Sequence, residues 1–395
     1  MNDAQNIRVG FVAAPGNWLG GRNYLRNLFA AIRTLQGNPI TPVVFTGKRQ
    51  TDASADFPGI EVVKTTILDR KSPAWFAGKV IAKATSRDIL FERLLRTHGV
   101  SLLSHSFRLD KHPGVRTIGW IPDFQHVHLP EFFSLEERLR RDREYMELCW
   151  RCDRVIVSSE CAAADLRAFS PEHAHKAELL RFVASPVHLG HATSLHELQR
   201  LYGFERPYFL LPNQFWAHKN HRVVLNALQV LICRNEPYLV LATGSIEDHR
   251  NPSFFPSLMQ YAAKCGVLEH FQVLGQIPFD HLVGLMRYAI AFINPSKFEG
   301  WSTSVEEAKS MGKSIVLSDI PVHREQAPKQ GVFFPPDDPE ALAAAMTAAY
   351  NNFDAQHDAA LQENARAQFP ERQREFGEAY RDIVTNVSRH HNSSV

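Results

Sequence analysis

The chain has 395 residues, of which 44% are hydrophobic and 22% charged, with a net charge of +2 at pH 7. That length exceeds one compact core of usual size and predicts two domains, and the composition excludes a disordered or fibrous chain. The balanced charge gives no footprint for nucleic acid as a partner, and no apolar run approaches the roughly 18 residues of a membrane span.

The opening stretch MNDAQNIRVGFVAAPG lacks the basic and apolar regions of a signal peptide, so a cytoplasmic location is expected. IRVGFVAA predicts a strand, PGNWLGG a glycine loop and RNYLRNLFAAIRTL a helix, with Tyr24, Leu25, Leu28, Phe29, Ile32 and Leu35 on one face. Strand, glycine loop and helix open an α/β unit. VSLLSHS, RTIGWIP and DRVIVSS continue the strands. The charged helix ERLRRDREYMELCWRC ends in a CxxC, Cys149 and Cys152, with neither a second pair nor a βαβ start to make it a metal or redox site.

From about residue 185 the pattern restarts. PYFLLPN, YLVLATG, FQVLG, AIAFINPS, SIVLS and VFFPPD read as strands. Between and after them, HRVVLNALQVLICR, FFPSLMQYAAKCG, FDHLVGLMRYA, SVEEAKSM and PEALAAAMTAAYNN read as helices. Alternation of this kind means parallel, doubly wound sheets. The fold class predicted is α/β, with two Rossmann-like domains over residues 1–185 and 190–370 facing a cleft. The segment SPVHLGHATS, residues 185–194, serves as hinge. Ligands are expected at the strand C-termini.

GKS at 312–314 is not a P-loop, because the glycine needed five residues earlier is Glu307. Gly312 reads instead as a helix-ending glycine. Gly16, Gly20 and Gly21 do not match the dinucleotide pattern GxGxxG. KFEGWSTSVEEAKSMG is richer in chemistry. A helix beginning near Thr303 or Ser304 presents free N–H groups and a positive dipole end, an anion site. Glu299 lies just before it and Glu307 within it. Two capping boxes, Thr303 with Glu306 and Ser304 with Glu307, offer a local alternative. That alternative covers one carboxylate but not Glu299, nor a tryptophan and three hydroxyl residues at one helix entrance.

FEG-x7-ExxxxG followed by SDIPVHRE resembles the signature of retaining glycosyltransferases of family 4, which have the GT-B fold. WLGGRNYLRNL, IPDFQHVHLPEFFS, CDRVIVSSECAAADL, NQFWAHKNH, FQVLGQIPFDHLVGLM and FINPSKFEG resemble its further segments in the same order, over nearly the whole chain. The resemblance implies that Glu299 contacts donor-sugar hydroxyls and Glu307 the ribose of the nucleotide. It also implies that backbone N–H groups of Gly300, Trp301, Ser302 and Thr303 bind the diphosphate. A carboxylate suits a diol because two oxygens accept two O–H bonds at once. Lys219 aligns with a lysine on the donor diphosphate. Gln214 stands where the family has arginine, one cation fewer, with His218 or the backbone of Gly20 and Gly21 as compensation. Ile277 falls where backbone atoms meet the base. The usual His-Asp pair reads Pro122-Asp123, leaving Asp123 and then His126 on the acceptor side. His128 with them makes only a weak metal pattern, and no metal or other cofactor is expected. WSTS after Glu299-Gly300 replaces the usual FGLP and alters the sugar pocket. Residues 371–389 are implied to form a helix crossing back onto the first domain.

The reading is thus a glycosyltransferase with Asp123, Lys219 and Glu299 as catalytic residues. It moves a sugar from a nucleotide-diphosphate donor to a glycan or lipid-linked acceptor of surface polysaccharide synthesis. A nucleotide-sugar epimerase on the same fold, releasing nucleotide without an acceptor, and a silent sugar-nucleotide sensor are the alternatives. Residues 70–96 add an expectation about location. Seven basic residues, Arg70, Lys71, Lys79, Lys83, Arg87, Arg93 and Arg96, face only Asp88 and Glu92, a balance of +5. Beside Trp75 and Phe76 this is either a solvated helix or a face for an anionic membrane surface, on the inner side of the membrane.

Overall fold

The structure, a computed structural model, describes residues 6–13, 19–37, 39–50, 56–106, 114–184, 192–248 and 250–389. Most of the predicted hinge, 185–191, lies outside the described residues. The chain divides into two compact units. The first draws on Met1–Phe124, Leu139–Phe182 and Glu371–Val395, the second on Gln125–Arg138 and Val183–Pro370. Residues 125–138 therefore belong with the second unit although they sit inside the first in sequence.

In the first unit the strands are β1 (Ile7–Val12), β2 (Ile40–Gly47), β3 (Glu61–Thr65), β4 (Leu102–Ser104), β5 (Arg116–Trp120), β6 (Arg154–Val157) and β7 (Ala177–Leu179). They form one parallel sheet in the order β3-β2-β1-β4-β5-β6-β7. The second unit holds β8 (Tyr208–Leu211), β9 (Leu239–Thr243), β10 (Phe271–Gly275), β11 (Phe292–Asn294), β12 (Ile315–Ser318) and β13 (Gly331–Phe334). Their order is β10-β9-β8-β11-β12-β13, again all parallel. The doubly wound α/β class expected from the alternation is what folds.

The second sheet is covered on both faces, which is why its strands read as unbroken apolar runs. Along β8, Phe209 and Leu211 pack with Val224, Leu228, Leu342 and Met346, while Tyr208 and Leu210 pack with Leu285, Val305 and Met311. Helix Thr303–Met311 ends at Gly312, in the left-handed region at φ 66°. A Cβ there would stand 2.3 Å from the carbonyl oxygen of Leu361, so GKS is a helix stop under a close backbone approach. The next residue, Lys313, is fully buried, and its ammonium donates to both oxygens of Asp358 at 2.8 and 2.7 Å.

The expected C-terminal helix is longer than predicted, running unbroken from Ala355 to Arg389 with Pro370 inside it. Phe376, Tyr380 and Ile383 on its last part are buried in the first unit, where the Tyr380 ring lies 6.4 Å from that of Phe11. Cys149 and Cys152 are buried thiols pushed up to about 11 and about 12 by burial, the state of packed rather than reactive cysteines. Among the described residues no helix is long and apolar enough to cross a membrane.

Candidate active site

Three adjacent strands of the second sheet, β9, β8 and β11, end on the same edge, and the loops that follow them touch. Gly244, at φ 130°, opens the loop after β9, and a Cβ there would stand 2.7 Å from Asn213 O and 2.9 Å from Gln214 Cα. Only glycine lets these two loops meet. Phe215 N–H then donates to Ser245 O at 2.9 Å, and Lys297 N–H to His218 O at 2.8 Å. A short 3-10 turn, Ala217–Lys219, ends at Asn220 in the left-handed region. This aims Lys219 at the third loop, where its Nζ donates to Glu299 Oε1 at 2.6 Å. Two residues named from the sequence 80 positions apart are therefore in direct contact.

Helix Thr303–Met311 starts after Ser302, and no side chain caps it. The hydroxyls of Ser302 and Ser304 instead accept from Asn294 Nδ2 at 2.7 and 2.9 Å, tying the helix start to the end of β11. Gln326 grips the same place. Its Oε1 accepts from Ser302 N–H at 3.1 Å, and its Nε2 donates to Ser302 O at 2.9 Å and to Glu306 Oε1 at 3.0 Å. Glu306 also receives Lys309 at 3.0 Å. Neither capping box forms, and the Ser302 N–H expected for an anion is engaged by Gln326. The first-turn N–H groups of Thr303, Ser304 and Val305 have no intrahelical acceptor.

Glu307 differs from its neighbour. It is half-buried, makes no hydrogen bond or ion pair among the described residues, and burial raises its carboxyl to about 7. Three histidines nearby are buried: His218, His221 and His323. Burial lowers all three, His221 to about 3, and the charge of Lys219 adds to each shift, so they are neutral imidazoles. His221 stacks on Phe215 with centroids 4.3 Å apart, and His323 Nδ1 bonds Ser318 O at 2.8 Å.

The other predicted residues fall as follows. Gly300 is half-buried and Trp301 buried in the loop before the helix; Ile277 is half-buried after β10. His126 is buried, and the exposed His128 stacks on Phe298 at 5.1 Å, beside Glu299. Gly20 and Gly21 are not in a loop but in the first turn of helix Leu19–Ile32 of the first unit. Asp123 also belongs to the first unit, 3.9 Å from Arg141. Among the described residues no three His, Cys, Asp or Glu side chains gather to hold a metal.

Residues 202–368, which carry this edge, match the family model described as Glycosyl transferases group 1. The chain carries a glycosyltransferase group 1 domain. A curated relative, the O-antigen chain mannosyltransferase RfbU of Salmonella typhimurium, is 25% identical over 161 residues, 38% of this chain and 43% of that protein. The alignment thus spans less than half the length of this relative. The group 1 domain and the unit before it also resemble solved structures. Anabaena HepE in complex with UDP and glucose matches with a TM-score of 0.70 and 15% identity, over 97% of this chain and 100% of that one. WaaG, a glycosyltransferase involved in lipopolysaccharide biosynthesis, matches with a TM-score of 0.61 and 18% identity, over 95% and 99%. The fold is GT-B, two parallel-sheet α/β domains.

Proposed function

We propose that this protein is a retaining glycosyltransferase of family 4. It transfers a sugar from a nucleoside-diphosphate donor to a glycan or lipid-linked acceptor in surface polysaccharide synthesis. The observation that carries the reading is the Lys219–Glu299 pair at 2.6 Å, at a helix start that also bears the Glu307 carboxylate, which has no partner among the described residues. In this reading Glu299 accepts sugar hydroxyls and Glu307 the ribose diol, while Lys219 and the N–H groups at the start of the helix take the diphosphate. The bond from the anomeric carbon to the phosphate oxygen breaks, its electron pair leaving with the diphosphate. The acceptor hydroxyl oxygen bonds the same face of the sugar as its O–H bond breaks, and the proton passes to the departing diphosphate oxygen. Lys219 and the helix N–H groups stabilise the charge that develops on the leaving group. Asp123 and His126 serve the acceptor side.

The comparison proteins support a donor of this class, through complexes of HepE with UDP-glucose and through the mannosyltransferase name of the Salmonella relative. A thermal-shift panel of UDP-, GDP- and dTDP-sugars, followed by the anomeric configuration of the product by NMR, tests the proposal. A donor that raises the melting temperature and yields a product of retained configuration supports it. Nucleotide release without an acceptor makes the protein an epimerase, and binding without turnover makes it a sensor.

We also propose that the first unit meets an anionic lipid surface through helix Pro73–Thr85. This helix exposes Phe76 and Val80, one turn apart, at 54% and 69%, alongside the exposed Lys79 and Lys83. The basic segment is two helices rather than one, the second being Ile89–Thr97. Arg87 and Arg96 both pair at 2.6 Å with the buried Glu92, so their charges are spent within the fold. Arg70, Lys71, Lys79, Lys83 and Arg93 remain as the exposed cations of the segment.

A further inference from the structure

The loop after β9 closes on Arg250. Its guanidinium lies 4.6 Å from the Trp216 ring and 4.8 Å from the Phe133 ring. Nη1 donates to Gln125 Oε1 at 3.3 Å, and Nε stands 3.5 Å from Asp248 Oδ1. The Arg250 and Asp248 side chains are only 7% and 4% exposed. Nη2 has no hydrogen-bond partner among the described residues and is not sealed from solvent. Trp216, whose Nε1 donates to Glu247 O at 3.3 Å, precedes the turn that bears Lys219, and the charge of Arg250 is felt at His218.

A diphosphate brings at least two negative charges to this edge, and the cations near it are mostly committed. Lys219, the first cation of the donor reading, shares its charge with Glu299, while Lys297 is bound to Asp337 at 2.6 Å and Lys309 to Glu306. The three histidines are neutral. Arg250 is different: its contact with Asp248 is long, and one arm of a fork suited to phosphate is unused. Two aromatic faces already hold the side chain, so little rotamer freedom is left to lose on binding.

We propose that Arg250 is a second cationic ligand of the donor diphosphate, engaging it through Nη2. The assignment rests on the donor reading above and adds a residue to it. Calorimetry with UDP and GDP, and with uridine and guanosine as phosphate-free probes, tests it. Arg250→Gln should weaken the diphosphate that the wild type binds by roughly tenfold or more, the loss expected for one hydrogen bond between charged groups. Nucleoside affinity should stay within about twofold, and the salt dependence of diphosphate binding should flatten. Adding Gln214→Arg should recover much of the loss, because Gln214 lies against Gly244 at the base of the same loop. A purely structural staple between Trp216 and Phe133 predicts otherwise. Equal losses for nucleoside and diphosphate, or no recovery by the second substitution, overturn the assignment. Wild-type binding with Arg250→Gln unchanged overturns this assignment alone, whereas a wild type that binds neither diphosphate overturns the donor reading with it.

Discussion

Lys219 and Glu299 reach each other from the ends of two neighbouring strands, β8 and β11, at 2.6 Å and with side chains only 18% and 10% exposed. Each neutralises the other in a site where neither is well solvated. Lys219→Ala should lower turnover at saturating donor by about 10²-fold or more, as expected for loss of leaving-group stabilisation. It should also lower the melting temperature, because Glu299 is left unpaired in a partly buried place. The double variant Lys219→Ala with Glu299→Gln separates the two effects. Stability should return and turnover should not. Turnover near the wild-type value in the single variant would remove Lys219 from the mechanism.

Glu307 gives the site a pH dependence of defined sign. Its carboxyl is raised from 4.5 to about 7 by burial, so the folded state binds the extra proton between those values. Stability therefore falls as pH rises from about 4.5 to about 7, and the cost is fully present above that range. Glu307→Gln should flatten this slope and raise the melting temperature at pH 8. Donor binding runs the opposite way if the ionised form accepts the ribose diol. With a nucleoside-diphosphate sugar, whose diphosphate does not titrate here, affinity should drop below pH 7 in the wild type and not in Glu307→Gln. Parallel pH profiles for the two proteins would sever Glu307 from the ligand.

The pair Lys313–Asp358 makes a prediction about stability alone. Lys313 donates to both carboxylate oxygens and to Arg287 O at 3.2 Å, with none of its side chain exposed. Asp358→Asn leaves a buried ammonium with only neutral partners and should cost about 3 kcal/mol or more in chemical denaturation. Lys313→Met with Asp358→Leu should cost clearly less, since no charge is then stranded. A double variant as unstable as the single one would show that packing, not charge, dominates there.

Liposome sedimentation examines the lipid face. Binding should require anionic lipid, weaken as salt rises, and fall when Lys79 and Lys83 become Glu or when Phe76 and Val80 become Ser. Arg87→Glu is a poor test, because it breaks the Arg87–Glu92 contact and unsettles the fold. Equal pelleting with neutral and anionic liposomes, or none with either, makes the helix a solvated one and the acceptor soluble.

The strands of the second unit were legible because YFLL and LVLAT are unbroken apolar runs, buried along their whole length. Three strands of the first unit were not. β2 carries Pro42 opposite Val9, β3 is an edge strand with Glu61 and Lys64 exposed, and β7 has three residues. Pro370 hid the continuity of the last helix in the same way, since proline ordinarily ends one. At the site, spacing suggested two capping boxes, yet tertiary contacts decided the matter. Gln326, 24 residues beyond Ser302, takes the Ser302 N–H expected for an anion and the Glu306 carboxylate that local pattern assigned to a cap. Asn294 was visible as a polar residue closing the run AIAFI, though nothing in the sequence tied it to Ser302 and Ser304. Arg250 and the membership of residues 125–138 in the second unit left no local trace, because both depend on contacts more than a hundred positions apart.

The first unit is built from both ends of the chain, and this sets an order of events during synthesis. When residue 370 has left the ribosome, every segment of the second unit is present, while the first still lacks Phe376, Tyr380 and Ile383. Until they arrive, the apolar surface around Phe11 and Tyr24 that receives them stays open to water and to chaperones. Of the two units, the one whose translation starts first is thus the one completed last, and a chain stalled or truncated before residue 371 displays that uncovered surface as its mark of immaturity.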